Sequence, residues 1–183
     1  MVTTRFTTAD ELFALGSDAP FELIQGELVR VSPSTLKSYL VLNYINWQLY
    51  GFVLTHNLGS VSVAEAGYLV ETKPDTVVAP DIAFVARHRM PSPVPDHGFV
   101  RLRPDLIVEV ISPSDERGDI KTKQALYDRI AVPMVWWIDP RREIASIHVP
   151  GQPVRTIDRT GSLEGGDILP GFSLALADVF AER

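Results

Sequence analysis

The sequence predicts an α/β (α+β) domain with a central mixed β-sheet flanked by helices, and three segments carry this prediction. Residues 105–111 form an almost entirely apolar run, which is typical of a central strand. Residues 116–130 are expected to form a helix capped by the Ser-Pro-Ser-Asp segment at 112–115. A second apolar run at 134–138 completes a strand-helix-strand unit, whose two strands should pair in parallel.

The N-terminal third predicts a short helix, a hairpin and a long helix. Residues 7–13 have a threonine cap and acidic residues in the first turn. Two apolar runs, 21–24 and 28–31, flank the Gln25-Gly26 turn. Residues 35–56 contain no proline and one glycine. The apolar residues that recur there at roughly helical spacing are Leu36, Tyr39, Leu40, Ile45, Leu49, Phe52 and Val53. This segment is therefore predicted to be one long helix, buried along much of its length.

Shorter elements are predicted where apolar runs are bounded by turn residues such as Lys73-Pro74-Asp75. The predicted elements are strands at 61–63, 67–70 and 81–85, an edge hairpin of 144–149 with 154–157, and a final helix at 175–180. Residues 86–104 hold four prolines and are expected to form an irregular loop, long enough to have a functional role.

Length and composition limit the class of protein. The 183 residues, 45% of them apolar, are expected to form a single domain over 1–183. The chain has no cysteine, which excludes disulfides, thiolate zinc sites and cysteine nucleophiles and fits a reducing cytoplasm. No apolar run is long enough to span a membrane, and the N-terminus lacks a signal-peptide core. We therefore expect a cytoplasmic protein that does not bind a membrane.

The net charge of −6 argues against a large sequence-independent grip on DNA, since such binders are usually basic. A carboxylate-lined metal site would itself add negative charge, which a bound cation partly cancels. Arg87-His88-Arg89, Arg101 and Arg103 are candidate phosphate contacts. The more common explanation of such residues is that they are solvated loop charges.

Two carboxylates stand out on predicted strands. Glu109 interrupts an apolar strand, where a carboxylate is costly unless it is paired or bound to a metal. Asp81 opens another strand directly after Pro80. Each alone has an ordinary explanation, a buried ion pair with arginine for one and turn chemistry for the other. Together, carboxylates on neighbouring strands can hold one hard cation such as Mg²⁺ or Mn²⁺.

Lys123 is the candidate cation of the site. It lies on the predicted helix that follows the Glu109 strand, and it shares a helix face with Tyr127. Lys121 is two residues away and therefore lies on a different face. A lysine near a scissile phosphate can stabilise its charge or orient the attacking water. The ordinary alternative is that Lys123 is a solvent-exposed helix residue.

Glu27 is a further acidic candidate, because it directly follows the Gly26 turn of the hairpin, although it could equally be an exposed hairpin residue. Asp119 and Glu65 are weaker candidates. The four histidines have no metal-ligand spacing, and the sequence contains no HExxH motif. It also contains neither a glycine-rich phosphate loop nor a GxSxG nucleophile elbow.

In this order, the motifs resemble those of the Uma family of restriction-endonuclease-like proteins. The matching segments are FELIQGELV (21–29), SPS (32–34), DTVVAPDIAFV (75–85), PDLIVEVISPS (104–114), Lys123 with Tyr127, VWWIDP (135–140) and LPGF (169–172). They cover nearly the whole chain, and their combination is specific although no single segment is. The resemblance implies a PD-(D/E)XK nuclease with a restriction endonuclease-like core.

The resemblance also implies roles for particular residues. Pro80-Asp81 matches the PD element, and Glu109 matches the acidic residue of the second element. In such cores the main-chain carbonyl of Val110 can bind the metal as well. Glu27 resembles the additional acidic residue that the superfamily often provides from an N-terminal element.

The sequence departs from the family pattern at two places. The lysine position of the simple motif, two residues after Glu109, is occupied by Ile111. The family typically supplies this charge from the following helix, which fits Lys123. Many relatives carry a histidine just after the Ser-Pro-Ser segment, whereas this chain has Leu36-Lys37-Ser38 there. This leaves the role of that position open.

The resemblance and the residues together lead us to expect an endonuclease that uses Mg²⁺ or Mn²⁺ to hydrolyse phosphodiester bonds in DNA. Glu27, Asp81 and Glu109 are expected to hold one or two metal ions, and Lys123 to orient the attacking water. Two alternatives stay open: a nuclease that acts on RNA or on a particular nucleic-acid structure, and a catalytically silent DNA-binding or assembly module.

A homodimer is expected, because cutting two strands requires two sites. Trp136 and Phe99 are candidate interface residues if they are exposed, although burial in the core is the more common fate of a tryptophan on a central strand.

Overall fold

A six-stranded mixed sheet forms the centre of the fold. The computed structural model describes residues 7–16, 19–31, 34–64, 66–113 and 117–182. The strands are β1 (Phe21–Ile24), β2 (Glu27–Arg30), β3 (Gly59–Val63), β4 (Tyr68–Glu71), β5 (Thr76–Val78), β6 (Ile82–Ala86), β7 (Leu106–Val110), β8 (Met134–Asp139), β9 (Ile144–His148), β10 (Arg155–Ile157), β11 (Ser162–Glu164) and β12 (Ser173–Ala175). The helices are α1 (Ala9–Ala14), α2 (Leu36–Thr55), α3 (Arg117–Arg129) and α4 (Leu176–Val179), with a short 3-10 helix at Arg87–Arg89. None of the helices in the described part of the chain is long and apolar enough to cross a membrane.

The central sheet has the strand order β10-β9-β8-β7-β6-β3. β7 and β8 pair in parallel and are connected by α3, which confirms the predicted strand-helix-strand unit. The other neighbours in this sheet pair antiparallel. Every residue of β7 is buried, as its continuous apolar run predicts for a strand covered on both faces. The predicted hairpin of β9 and β10 is confirmed, and β10 forms the sheet edge.

The two faces of the central sheet have separate cores, because neighbouring side chains on a strand point in opposite directions. Val108 and Val110 belong to the cluster that packs against α2. Ile107 belongs to the second cluster, which includes Leu126 and Tyr127 of α3. Glu109 alternates with Val108 and therefore lies on the α3 face of the sheet. This alternation places Glu109 beside α3 and on the opposite face of the sheet from α2.

The N-terminal hairpin belongs to a second sheet, which the sequence did not predict. This four-stranded sheet has the order β2-β1-β5-β4 and is antiparallel throughout. β5 was not predicted, because its three residues lie between the turn at 73–75 and Pro80 and are too few to show a period. β11 and β12, which form a separate pair, were also not predicted.

The predicted helices α1 and α2 are confirmed, with Thr8 and Thr35 as their N-caps. The segments 32–33 and 114–116, which contain part of the predicted boundary and cap signals, lie outside the described residues. The prediction that α2 is buried along much of its length is wrong for one face. Leu36, Tyr39 and Leu40 were assigned to its apolar pattern but are exposed.

Candidate active site

Asp81 and Glu109 lie side by side at the ends of two neighbouring strands. β6 and β7 pair antiparallel with Ile82 opposite Val108, and the same register continued by one residue sets Asp81 opposite Glu109. Residues directly opposite each other on antiparallel strands point to the same face. The Val110 amide donates a hydrogen bond of 2.7 Å to Oδ2 of Asp81, which fixes that carboxylate against β7.

Lys123 of α3 contacts Glu109 from above the sheet. Its Nζ lies 3.1 Å from Oε1 of Glu109, whose side chain is 8% exposed, while the lysine side chain itself is 25% exposed. One helical turn later, Tyr127 is fully buried and its hydroxyl donates a hydrogen bond to the same Oε1. The two residues share a helix face as their spacing predicts. Lys121 is exposed, which agrees with the choice of Lys123.

Glu22 is a third carboxylate in this cluster, and the sequence analysis missed it. Its Oε1 lies 3.3 Å from Nζ of Lys123 and accepts a hydrogen bond of 2.9 Å from the amide of Ala79. Glu22 is 5% exposed although it lies on β1 of the second sheet. A signal was available, because Glu22, like Glu109, is a lone carboxylate within an apolar strand.

Glu27, the N-terminal acid chosen from the sequence, lies elsewhere on the hairpin. It pairs with Ile24 at the turn end of β2, and its side chain is exposed. Among the described contacts, Lys123 is joined to Glu22 rather than to Glu27. A catalytic role for Glu27 stays a prediction. Asp119 is exposed on α3, and Glu65 lies outside the described residues.

The cluster is buried and contains more carboxylates than cations, and both features shift the pKa of Glu109. Burial raises the pKa of Glu109 to about 7, and the charges of Asp81 and Glu22 add to the rise. The ammonium of Lys123 and the hydrogen bond from Tyr127 oppose it. Glu109 therefore exchanges its proton near neutral pH, where a carboxylate can act as a general base.

The cation and the phenol of the cluster keep their protons. Burial by itself would lower the pKa of Lys123, but the charges of Glu109 and Glu22 outweigh it and hold this pKa above its usual value. Burial and the charge of Glu109 raise the pKa of Tyr127 well above its usual value. Lys123 is consequently a permanent cation, and Tyr127 a permanent hydrogen-bond donor.

The donor set suits a hard divalent cation, because carboxylate and carbonyl oxygens are the ligands that Mg²⁺ prefers. Within the described residues, no three His, Cys, Asp or Glu side chains are grouped closely enough to hold a metal. Lys123 lies between Glu22 and Glu109 and so occupies part of the space they enclose. Asp81 and Glu109 remain as an adjacent pair, and Mg²⁺ commonly takes only one or two carboxylates.

Three arginines of the 86–104 loop make internal contacts. Arg89 forms an ion pair with Asp105, and the carboxylate of Asp105 also accepts a hydrogen bond of 2.8 Å from the Ala86 amide. Arg87 donates a hydrogen bond to the Asn57 side chain. Arg103, near the end of the loop, donates a hydrogen bond of 3.1 Å to the carbonyl of Ile130, directly after α3. These contacts explain Arg87, Arg89 and Arg103 as structural residues of the loop, whereas Arg101 is exposed.

Comparison with known proteins supports the fold and identifies the family. The chain is similar to a crystal structure from Anabaena variabilis ATCC 29413, described as "a putative nuclease belonging to DUF820". The TM-score is 0.79 at 19% identity, covering 94% of this chain and 97% of the other. At this identity the likeness shows the fold alone, and it confirms the α/β architecture with a central mixed sheet. No curated protein matches the chain.

The family itself is shown by a match along most of the sequence. Residues 9–177 match the Uma2 family model, which is described as "Putative restriction endonuclease". This range includes every residue of the cluster around Lys123. The chain therefore belongs to the Uma2 family of restriction-endonuclease-like proteins.

Proposed function

We propose that this protein is a metal-dependent endonuclease that hydrolyses phosphodiester bonds in DNA. The observation that carries the proposal is the convergence of three carboxylates, Glu22, Asp81 and Glu109, around the ammonium of Lys123. These residues come from β1, the start of β6, β7 and α3, so the fold gathers them from separate segments. Membership of a family described as "Putative restriction endonuclease" supports nuclease activity.

Asp81 and Glu109 are the residues that would hold Mg²⁺ or Mn²⁺, with the carbonyl of Val110 beside them. When bound, the cation would neutralise charge on the phosphate and make a water molecule more acidic. Glu22 could bind the same cation only if Lys123 moved from its present position, because the ammonium contacts both Glu22 and Glu109.

Each residue of the cluster would then have a separate role in the hydrolysis of a phosphodiester. Lys123 would turn its ammonium to a non-bridging phosphate oxygen and stabilise the charge that develops there. Glu109 would orient the attacking water with an oxygen of its carboxylate, and the proton of this water would leave to solvent. Tyr127 holds Glu109 in place through its hydrogen bond. No covalent bond to the protein is needed.

The first experiment is cleavage of supercoiled plasmid, single-stranded DNA and RNA in Mg²⁺, in Mn²⁺ and in EDTA. Asp81→Asn and Glu109→Gln keep the size of the side chain and remove the charge, so both should abolish cleavage. Their circular dichroism should match that of the unchanged protein. Cleavage of RNA alone would replace DNA as the substrate class, while full cleavage by either variant would refute the proposed site.

Glu22→Gln and Glu27→Gln form a matched pair that decides which glutamate belongs to the site. Glu22 contacts Lys123 and is buried, whereas Glu27 is exposed at the hairpin turn. We expect Glu22→Gln to reduce cleavage by at least tenfold and Glu27→Gln to leave it unchanged. The opposite result would restore the role that the resemblance implies for Glu27.

A catalytically silent module with the nuclease fold is the second candidate, and one observation favours it. Lys123 already neutralises Glu22 and Glu109 through ion pairs, which is also what a purely structural buried cluster would do. Calorimetry with Mn²⁺ distinguishes the two. Binding that is lost in Glu109→Gln supports the enzyme, whereas absence of binding together with absence of cleavage supports the silent module.

A further inference from the structure

α2 exposes a stripe of five leucine and aromatic side chains and one asparagine on the face that points away from the sheet. The stripe consists of Leu36, Leu40, Asn43, Trp47, Tyr50 and Leu54, with Tyr39 beside it. Its large side chains are between 45% and 74% exposed, and Trp47 alone is 67% exposed. The opposite face of the helix, including Ile45 and Leu49, is buried against the central sheet. α2 is thus apolar on both sides while only one side is covered by the described residues.

The spacing of the stripe is that of a helix-helix interface. Its members follow one another at intervals of four, three, four, three and four residues, which is the heptad pattern of packed helices. Lys37 is the only formally charged residue among the 20 of α2. A helix that is apolar all round is normally covered on all sides. We propose that this stripe is a self-association surface, on which α2 of a second copy of the chain packs.

The size of the stripe suits a second copy. Its side chains expose roughly 700 Å² in total, close to the roughly 800 Å² that each partner contributes to a stable interface of standard size. α2 is also about 30 Å long at 1.5 Å per residue, so two such helices can pack along their whole length. The exposed apolar area is larger than a surface normally leaves in water.

Charge argues for a protein partner over a nucleic acid or a membrane surface. The protein carries −6, and Lys37, beside the stripe, is the only cationic side chain of α2, so neither phosphates nor anionic headgroups meet the cations they require. A second copy avoids this difficulty, because the stripe itself is uncharged and brings no like charges together. The interface candidates named from the sequence do not form such a surface, because Trp136 is fully buried and Phe99 is only partly exposed. The proposed homodimer interface is therefore the stripe on α2.

A two-fold axis crossing α2 near its middle would pair the helices antiparallel. Leu36 then lies against Leu54 of the second copy, and Trp47 lies against Asn43 of the second copy, so the largest side chain meets a small one. A parallel pair would instead set Trp47 against its own copy and bring the two Lys37 side chains together. The antiparallel arrangement is therefore the one we propose.

The proposed interface leaves the carboxylate cluster accessible. α2 packs on the sheet face of Val108 and Val110, whereas Glu109 and Lys123 lie on the other face. The two sites of such a dimer face away from each other. The proposal consequently does not depend on the nuclease activity, and its test reads oligomeric state and not cleavage.

Sedimentation velocity over a wide range of protein concentrations tests the surface. We expect the unchanged protein to be a dimer and Leu40→Glu/Trp47→Glu to be a monomer. Val154→Glu is the matched control, since Val154 is 54% exposed outside α2, and it should remain a dimer. Circular dichroism establishes that each variant is folded. The proposal is overturned if the unchanged protein is a monomer, or if Leu40→Glu/Trp47→Glu is still a dimer. It is also overturned if the unchanged protein is a monomer that binds lipid vesicles or single-stranded DNA and loses this binding when Trp47 is replaced.

Cysteine cross-linking tests the orientation, and the chain suits it because it contains no cysteine of its own. Under oxidation, Leu36→Cys/Leu54→Cys should form covalent dimers in high yield. Leu36→Cys alone and Leu54→Cys alone should not, because each cysteine then lies against a leucine of the second copy. Cross-linking by the single variants would establish the parallel pair and overturn the antiparallel one.

Discussion

Replacing Lys123 by methionine removes the cation of the carboxylate cluster while keeping a long side chain on α3. Lys123 lies 3.1 Å from Glu109 and 3.3 Å from Glu22, and both carboxylates are buried. Without the ammonium, Glu109 loses the larger of the two interactions that oppose the rise in its pKa. Its pKa should therefore increase beyond 7, and the folded protein should hold the proton to higher pH.

The sign and size of the effect follow from proton linkage. In both proteins the unfolded chain releases the Glu109 proton near its ordinary pKa, while the folded state keeps it. Each such proton lowers the free energy of unfolding by about 1.4 kcal/mol per pH unit. In the unchanged protein this decline ends near pH 7, whereas in Lys123→Met it continues above pH 7. We expect the difference to reach about 3 kcal/mol by pH 9, since removing one partner of a buried pair costs about 3–5 kcal/mol and Lys123 is 25% exposed.

Urea unfolding from pH 5 to pH 9 in EDTA measures this difference. Lys121→Met is the matched control, because Lys121 is exposed on the same helix and should cost less than about 1 kcal/mol at every pH. Adding Glu109→Gln to Lys123→Met should remove most of the pH dependence of the difference in the free energy of unfolding. The reasoning fails if the difference between Lys123→Met and the unchanged protein stays constant with pH, or if it equals that of Lys121→Met.

Three further changes test other parts of the structure by urea unfolding. Tyr127→Phe removes the hydrogen bond to Glu109 and should cost about 2 kcal/mol at pH 8, where Glu109 is ionised, but less at pH 5; an equal cost at both would contradict the assigned contact. Gly59→Ala should cost at least about 3 kcal/mol, because the new Cβ would lie 2.0 Å from the carbonyl oxygen of Val85 across the β3–β6 pair. A cost under about 1 kcal/mol would mean that these strands separate easily. Gly51→Ala lies within α2 with nothing within 4 Å of its Cβ, so it should stabilise by about 1 kcal/mol, and any loss would count against an unstrained helix there.

The sequence could predict the parts of the site that depend on local patterns. Glu109 stands out because burying a carboxylate in an apolar strand requires a compensating partner, and the structure supplies Lys123 and Tyr127. The pairing of Lys123 with Tyr127 follows from helical periodicity alone. Asp81 was recognisable only as half of a pair, because its own position after Pro80 is ordinary turn chemistry.

The choice between Glu22 and Glu27 depended on tertiary structure. Both flank the same hairpin turn, and an alternating strand in a hairpin normally turns its charged residue to solvent. Glu22 is buried because β1 pairs with β5 and brings this sheet against the α3 face. β5 is too short to be visible in the sequence, so the second sheet and the burial it causes could not be predicted.

The sequence by itself determined the helices, the central strands and the strand-helix-strand unit. The helices have a hydrophobic period and the central strands have almost unbroken apolar runs, and local physics imposes both patterns. It also determined that α2 carries apolar residues at helical spacing, but not which of them the fold would cover. Only the tertiary structure decided that Leu36, Tyr39 and Leu40 stay exposed while Ile45 is buried. The physical reason is that periodicity fixes which residues share a face, whereas contacts between distant segments decide which face meets the core.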